Sequence, residues 1–288
     1  MSPRLKEYFS SQIKAPFDNI VKGELSRLSP TLILATKLPF AAFMAIERGR
    51  PYCVLCEQEI TGFIEVGEYH PVLDRLRVVG AGPRLGRCPN CRSRDRDRLV
   101  FLFLLAHTLI LKPGCAMRVL HIAPERSLYR RLLANGTLGY IIGDLNMREG
   151  ASKFDIRSLP FADSLFNVLI CNHVLEHVLE DGVAMTEIKR VLKCSGWGLV
   201  QVPIAHSADR IIEDMSVTTL EARKEAFCRF DHVRIYTTQS YIERLGMAGL
   251  DVTELRLSVQ LKSPHCELLG INPEESLFIV TPQHRSEG

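Results

Sequence analysis

The feature of this chain that most limits its fold is the alternation of strand-like and helix-like segments after Gly114. Short apolar runs typical of buried strands, namely MRVLHI, YIIGD, NVLICN and GLVQVP, are separated by segments of helical period. Such alternation predicts a parallel sheet flanked by helices, with one helix over Glu180 to Lys193. The final runs DVTELRLSV and SLFIVTP follow the last helical pattern and predict an antiparallel pair that closes the sheet.

The part of the chain before this alternation divides into two further regions. Residues 1-50 predict a helical N-terminal extension to which the sequence assigns no function. Residues 51-96 contain short alternating runs with glycine turns and predict a small β-rich module. An apolar helix between Asp97 and Lys112 then leads into the third region, residues 97-288.

Two cysteine pairs of identical spacing lie in the β-rich module, Cys53-x-x-Cys56 and Cys88-x-x-Cys91. Each pair places two thiols on one tight turn, and two such turns together form the tetrahedral sulfur cage that zinc prefers. The pattern therefore predicts a metal-binding module whose zinc is structural, with iron as a less favoured metal. The alternative is four unrelated buried thiols.

Arginines crowd the stretch around the second cysteine pair. They are Arg84, Arg87, Arg92, Arg94, Arg96 and Arg98. Such a cluster is able to bind phosphate groups of a nucleic acid or an acidic substrate. We favour the alternative that these side chains form a solvated rim and anchor the module to the larger domain.

Charge and composition limit the expected partners and cellular location of the protein. The net charge of +3 over 288 residues gives no reason to expect a nucleic acid or an anionic membrane as partner. The first residues lack the apolar core of a secretory signal, and the apolar stretch from Thr31 to Ile46 is too short for a bilayer span. Nine cysteines, four of them in tight pairs, indicate a reducing, cytoplasmic location without transmembrane segments. The sequence does not define the oligomeric state.

Polar residues follow the predicted strands at their carboxyl ends, where open parallel sheets bind ligands. The first strand ends in His121-Ile122-Ala123-Pro124-Glu125, without the glycine-rich turn usual in nucleotide-binding folds. Asp144 ends the next strand, at about the separation from the first turn at which a carboxylate contacts ribose hydroxyls. A turn-capping role for Asp144 is equally consistent with the sequence.

The run KFDIRSLPFADSLFNVLICNHVLEHV, followed by AMTEIKRVLKCSGWGLVQVP, resembles class I S-adenosylmethionine-dependent methyltransferases. Together with CPNC, LHIAPE and DHVRIY, it resembles a subgroup with an N-terminal four-cysteine module. The resemblance runs from about Cys53 to the C-terminus. It implies an α/β, Rossmann-like methyltransferase fold with a mostly parallel seven-stranded sheet, and S-adenosyl-L-methionine as cofactor.

The resemblance also implies roles for residues at the strand ends. Ala123 and Glu125 fall at the methionine end of the cofactor and Asp144 at the ribose, and His121 is a further cofactor-binding candidate. Asp155 and Ile156 fall at the adenine, and Asn172 and His173 border the sulfonium group. Carboxylates and an apolar side chain suit ribose hydroxyls, an exocyclic amine and an adenine face.

Methyl transfer to oxygen or nitrogen commonly needs a base, and histidine is the natural base near pH 7. The candidates are His173, His177 and His232, with Glu176 or Asp231 available to orient a ring. Each histidine also has a structural interpretation. The sequence thus predicts a methyltransferase acting on an O or N atom of a small-molecule or glycan acceptor. A cofactor-binding or RNA-binding regulatory protein with a degenerate pocket is the alternative, and a nucleic acid is the less favoured partner.

Overall fold

The computed structural model describes residues 38–112, 114–134, 136, 139–145, 152–259, 261 and 263–283. Its helices are α1 Phe40–Glu47, α2 Pro71–Leu76, α3 Asp95–His107, α4 Arg126–Ala134, α5 Asp181–Val191, α6 Leu220–Phe227, α7 Thr238–Met247 and α8 Ser263–Leu269, with 3-10 turns at Leu175–His177 and Leu257–Val259. The strands are β1 Tyr52–Cys53, β2 Gln58–Glu59, β3 Ile64–Val66, β4 Val78–Val79, β5 Arg84–Arg87, β6 Val119–Ile122, β7 Tyr140–Asp144, β8 Ser152–Lys153, β9 Phe166–Asn172, β10 Leu192–Gln201, β11 Ile204–Ala205, β12 Ile212–Glu213, β13 Arg234–Ile235, β14 Leu250–Leu255 and β15 Leu277–Pro282.

A seven-stranded sheet in the order β14-β15-β10-β9-β6-β7-β8 forms the centre of the protein. The pairs from β10 to β8 are parallel, whereas β15 runs antiparallel to both β10 and β14. This arrangement confirms the predicted fold class and the predicted antiparallel closure. Strand order reverses between β6 and β9, so their carboxyl ends border a crevice of the kind in which α/β sheets bind ligands.

Two predicted helices are shorter than their apolar patterns suggested. The helix predicted from Asp97 to Lys112 is α3, which ends at His107 because Thr108 has extended backbone angles. There the Thr108 hydroxyl donates to the Leu104 carbonyl at 2.7 Å. The helix predicted over Glu180 to Lys193 is α5, and it ends where Leu192 begins β10. Helix periodicity persists beyond each end because the next residues are also apolar.

The cysteine-bearing module is β-rich, as the sequence predicts, with antiparallel pairs β1–β2 and β3–β5. It does not stand apart from the sheet domain. Strand β4 pairs with β11, which follows β10, and Val78 packs in one buried cluster with Ala205 and Ile235. Of the predicted N-terminal extension, residues 1–37 lie outside the described residues, and α1 is its described helix.

Two large apolar clusters cover the two faces of the sheet. One packs α3 and the cysteine turns against β6, β9 and β10, and the other packs α5 and α7 against the opposite face. Helix α3 therefore belongs to both the module and the domain core, which explains why its Leu99 to Leu104 side chains are all buried. Within the described residues, no helix has the length and apolar character needed to cross a bilayer.

Candidate active site

The four cysteines of the module form one cluster. Their sulfur atoms all lie within 4.8 Å of one another, and none of the four forms a disulfide. Cys53 Sγ is 3.6 Å from Cys91 Sγ, and Cys56 Sγ is 3.8 Å from Cys88 Sγ. Four sulfurs at about 2.3 Å from a central zinc form a tetrahedron with edges of about 3.8 Å. The cluster is thus already arranged as the expected set of metal ligands.

The chemistry of these thiols also favours a cation. Burial, and then the charge of a Cys53 thiolate, raise the pKa of Cys56 to about 12. Crowded thiols therefore resist ionising together unless a divalent ion offsets their charge. A metal ion held by four thiolates would have no coordination position left for a substrate, as in structural zinc sites.

Arg98 joins the cysteine module to the sheet domain. Its guanidinium is fully buried and donates to the carbonyl oxygens of Ser93 and Gly86 in the module, at 2.7 and 2.9 Å. It also donates to Leu269 O at 3.0 Å and to Gly270 O, at the end of α8. For this arginine the predicted anchoring role agrees with the contacts.

A cavity of about 1510 Å³ opens at the carboxyl ends of β6 and β9. It exceeds the roughly 300–1,000 Å³ of an ordinary small-molecule site, so it has room for two ligands side by side. One wall comes from the strand ends, and another comes from β5 and the second cysteine turn of the module. Gly80 (φ 88°) packs on the site, and a Cβ there would lie 3.4 Å from His173 Cε1.

Positive charge dominates the lining of this cavity. Ten cationic side chains face six acidic ones. The cationic residues are Arg84, Arg87, Arg92, Arg94, Arg96, Arg126, Arg130, Arg131, Lys224 and Arg229. Some are paired within the protein: Arg84 with Asp95, and Arg229 with Asp231 at 3.0 Å. The predicted rim of arginines is therefore divided, since Arg98 anchors the module to the sheet domain whereas the other five arginines line the cavity.

The turn after β6 adopts a left-handed backbone conformation without a glycine. Ala123 adopts φ 48°, in the left-handed region that favours glycine, and its N–H donates to Gly143 O at 2.7 Å. His121 contacts Glu125 at 3.0 Å and the Tyr140 hydroxyl at 2.7 Å. Burial raises the pKa of Glu125, but the His121 contact outweighs this effect and lowers the pKa to about 2.

The predicted cofactor residues fall into two groups. Ala123, Glu125, Asn172 and His173 line the cavity. His121, Asp144 and Ile156 are buried behind or beside it, and Asp155 is held by Arg157, with 2.7 Å between Oδ2 and Nη2. The amide of Asn172 is 4% exposed, and neither of its polar atoms has a hydrogen-bond partner within the described part of the chain. A ligand in the cavity would satisfy these atoms.

All three predicted catalytic histidines line the same cavity, around Glu176. His173 adopts φ 54° at the end of β9, which turns the chain towards the 3-10 segment that carries Glu176 and His177. His232 arrives from the loop before β13, where Val233 N donates to Glu176 O at 3.0 Å. The rings of His177 and His232 pack edge to face with centroids 4.7 Å apart.

Burial favours the neutral form of two of these imidazoles. Desolvation, with smaller contributions from nearby charges, lowers the pKa of His232 to about 4. Burial and the charge of Arg96 also lower the pKa of His173. A neutral ring has a nitrogen lone pair that is able to bind a proton or a metal ion.

Sequence reasoning missed two contributors to the site. The sequence suggests Glu176 only as a residue that orients a histidine ring, whereas the structure places it among His173, His177 and His232. Its place at i+3 from His173 in HVLEH was a usable signal. Arg96 was assigned to the rim, but it faces His173 and Glu125 across the cavity. No local pattern indicates that contact, because it depends on the packing of the module.

Comparison with known proteins supports this description of the sheet domain. Residues 143–200 match the family model described as a methyltransferase domain. Uncharacterized protein YafE of Escherichia coli (strain K12) is 31% identical over 112 residues, which are 39% of this chain and 49% of that protein. The match therefore spans about half the length of that relative.

Two solved structures are among those similar to this chain. YcgJ from Bacillus subtilis is 13% identical with a TM-score of 0.41, covering 66% of this chain and 99% of that one. The 1,6-didemethyltoxoflavin-N1-methyltransferase of Burkholderia thailandensis is 15% identical with a TM-score of 0.42, covering 60% and 73%. The matched segment lies within the seven-stranded sheet, whose strand order is that of a Rossmann-like fold. The sheet domain thus contains a segment similar to methyltransferase domains. Its match from β7 to β10 includes the strand end that carries Asn172.

Proposed function

We propose that this protein is an S-adenosylmethionine-dependent methyltransferase that methylates an O or N atom of a small-molecule or glycan acceptor. The observation that carries the proposal is the cavity at the switch point of the methyltransferase sheet, between the ends of β6 and β9. Its volume accommodates a cofactor and an acceptor together, which an in-line displacement requires.

The residues present fit the cofactor. When bound, S-adenosylmethionine supplies an electrophilic methyl group on a sulfonium. The carboxylate of Glu125 suits the cationic amine at the methionine end, and Asp144, buried at the end of β7, suits the ribose hydroxyls. Asn172, at the end of β9, has a side-chain amide without a hydrogen-bond partner among the described residues. We propose Asp155 and Ile156 for the adenine, and His121 for holding Glu125.

The acceptor side belongs to the histidine cluster and the module. His173, His177 and His232 are the candidates to receive a proton from the acceptor as the new bond forms. The cationic lining favours an acceptor that carries carboxylate or phosphate groups. We also propose zinc in the four-cysteine cluster and a cytoplasmic location, the latter supported by nine cysteines without disulfides.

The same lining supports a second candidate, a cofactor-binding or RNA-binding regulatory protein. Titration calorimetry of the metal-loaded chain with S-adenosylmethionine separates the two. The enzyme proposal requires saturable binding, together with transfer of labelled methyl groups to a member of a panel of anionic sugars and small metabolites. Absence of cofactor binding would defeat it. Cofactor binding with salt-sensitive RNA retention and no methyl transfer would favour the regulatory protein.

A further inference from the structure

Glu176, His177 and His232 form a second cluster with the geometry of a metal site. Together they offer one carboxylate oxygen and two imidazole nitrogens, and these ligand atoms all lie within 4.8 Å of one another. All three residues of the cluster line the cavity, and their ligand atoms differ in type from the four thiols of the module. Glu176 and His232 are buried, and His177 is partly exposed towards the cavity.

The hydrogen bond of His177 fixes which nitrogen carries the lone pair. Its Nδ1 lies 2.9 Å from the backbone oxygen of Asp231, and a carbonyl oxygen only accepts, so Nδ1 bears the proton. The other nitrogen, Nε2, lies 4.0 Å from Glu176 Oε1, and in the tautomer with the proton on Nδ1 it is an acceptor. Two acceptors that face each other repel unless a cation lies between them. Metal-bound histidines commonly donate their other N–H to a carbonyl in this way.

Glu176 provides an independent reason for a cation. Its side chain is almost fully buried, and neither carboxylate oxygen receives a hydrogen bond from any described residue. The nearest imidazole nitrogen of His173, Nδ1, is 3.3 Å from Oε1, and it offsets the carboxylate charge only when the ring is protonated. The neighbouring guanidinium of Arg229 is engaged by Asp231. A buried carboxylate without donors costs several kcal/mol, which a bound cation would offset.

We propose that Glu176, His177 and His232 bind a divalent first-row transition-metal ion whose remaining coordination positions face the cavity. Two imidazoles and one carboxylate are the mixed N/O ligand set typical of such ions, and an incomplete protein shell marks a reactive rather than a structural site. This set is separate from the four cysteines, so the chain has two metal sites of different chemistry.

The consequence for catalysis rests on the proposed function. An ion held by Glu176, His177 and His232 would lower the pKa of an acceptor hydroxyl bound to it, because a cation stabilises an oxyanion. His177 and His232 would then act as ligands, which leaves His173 as the residue that would accept the proton of the acceptor. Transfer of the methyl group from the sulfonium to that oxygen would leave a neutral thioether and one released proton. This scheme favours oxygen as the acceptor atom.

The experiment is a Co²⁺ titration of the full chain, first stripped of loosely held metal with its cysteine cluster still loaded. Cobalt bound to thiolates gives intense charge-transfer absorption, whereas cobalt bound to imidazole and carboxylate does not, so the spectrum identifies the site. We expect one equivalent of non-thiolate Co²⁺ per chain. Glu176→Gln and His232→Ala should each weaken that binding at least tenfold, and His206→Ala, a histidine outside the cavity, should not.

A stability measurement separates a ligand from a structural residue. If Glu176 serves a metal, Glu176→Gln removes an uncompensated buried charge, so the metal-free variant should melt at or above the temperature of the metal-free wild type. The same variant should lose the rise in melting temperature that Co²⁺ gives the wild type. A large loss of stability without metal would assign Glu176 to the fold and overturn the proposal.

Failure of this inference is distinguishable from failure of the proposed function. The wild-type titration uses no cofactor, and cofactor binding is measured separately by calorimetry. Wild-type protein without a non-thiolate equivalent, or variants that bind Co²⁺ as the wild type does, would overturn the metal site. Cofactor binding and methyl transfer would then still stand or fall on their own measurements.

Discussion

The cysteine cluster and the Glu176–His177–His232 cluster are both groups of potential metal ligands, but they differ in ligand type and in surroundings. In the first, four sulfur ligands complete a tetrahedron inside the apolar core beside α3. In the second, three N and O ligands line an open cavity. A saturated shell holds chain segments together, whereas an unsaturated one offers positions to a substrate. Removing ligands from the first should damage folding, and from the second should damage binding and chemistry.

The largest expected effect tests the structural half of this comparison. Cys88→Ser breaks a closed shell whose metal contributes on the order of 10 kcal/mol to folding. We expect metal content and soluble yield to fall together, measured by elemental analysis and circular dichroism. Cys194→Ser, at an exposed cysteine, is the matched control. A soluble, normally folded Cys88→Ser protein without metal would show that the cluster is not structural.

The second largest effect is expected at Arg98, and it tests whether this side chain anchors the module to the sheet domain. Arg98→Met removes a buried guanidinium and leaves carbonyl acceptors of Ser93, Gly86 and Leu269 without that donor. We expect a loss of roughly 3–5 kcal/mol in the free energy of unfolding, measured by denaturant titration. Arg75→Met, at an exposed position of α2, should change it little. Equal stabilities of the two variants would refute the anchoring role.

Glu275 is a buried carboxyl outside the Glu176–His177–His232 cluster, and it serves as a comparison for Glu176. Burial and the charge of Asp95 raise the pKa of Glu275 to about 8, whereas the ordinary value is near 4.3. Its contribution to stability is therefore present below about pH 4.3 and is lost as pH rises through 8.

Glu275→Gln should remove this pH dependence, on the order of 3 kcal/mol between pH 5 and 8. Denaturant titrations across that range measure it. The same substitution should leave non-thiolate Co²⁺ binding unchanged, in contrast to Glu176→Gln. A variant whose stability falls with pH as steeply as the wild type would contradict the assigned titration.

The smallest effect tests whether the cofactor half of the cavity is separable from the metal half. Asp144→Ala removes a charged acceptor for the ribose and should weaken S-adenosylmethionine binding by about 2 kcal/mol, roughly thirtyfold, by calorimetry. Co²⁺ binding should persist. Asp251→Ala, on the exposed face of β14, is the control. Unchanged cofactor affinity in Asp144→Ala would place the ribose elsewhere.

Much of this architecture was predictable because its signals are local. Apolar runs predicted the main strands along the chain. The final two runs predicted an antiparallel pair, which β14 and β15 form. The strand ends pointed to Glu125, Asn172 and His173, all of which line the cavity. Helix ends were less well predicted, as at Thr108, because apolar periodicity continues past the point where the backbone turns.

The missing glycine turn shows where a sequence pattern alone misleads. LHIAPE fails the glycine motif, yet Ala123 adopts the left-handed conformation that glycine would supply. Its N–H bond to Gly143 O and the packing of β6 and β7 compensate for the strain. Glycine adopts this backbone conformation with little strain. Alanine adopts it where surrounding contacts stabilise the turn.

The sequence by itself indicated the two cysteine pairs and the strands of the sheet, since each pair consists of residues close in the chain and the strands follow apolar runs. Only the tertiary structure decided which polar groups share the cavity. Arg96 reaches His173 because α3 packs on the sheet, and His232 reaches Glu176 because β13 returns beside the 3-10 turn. Such contacts join distant segments, and the buried charge that makes Glu176 a candidate ligand exists only after folding has removed it from water.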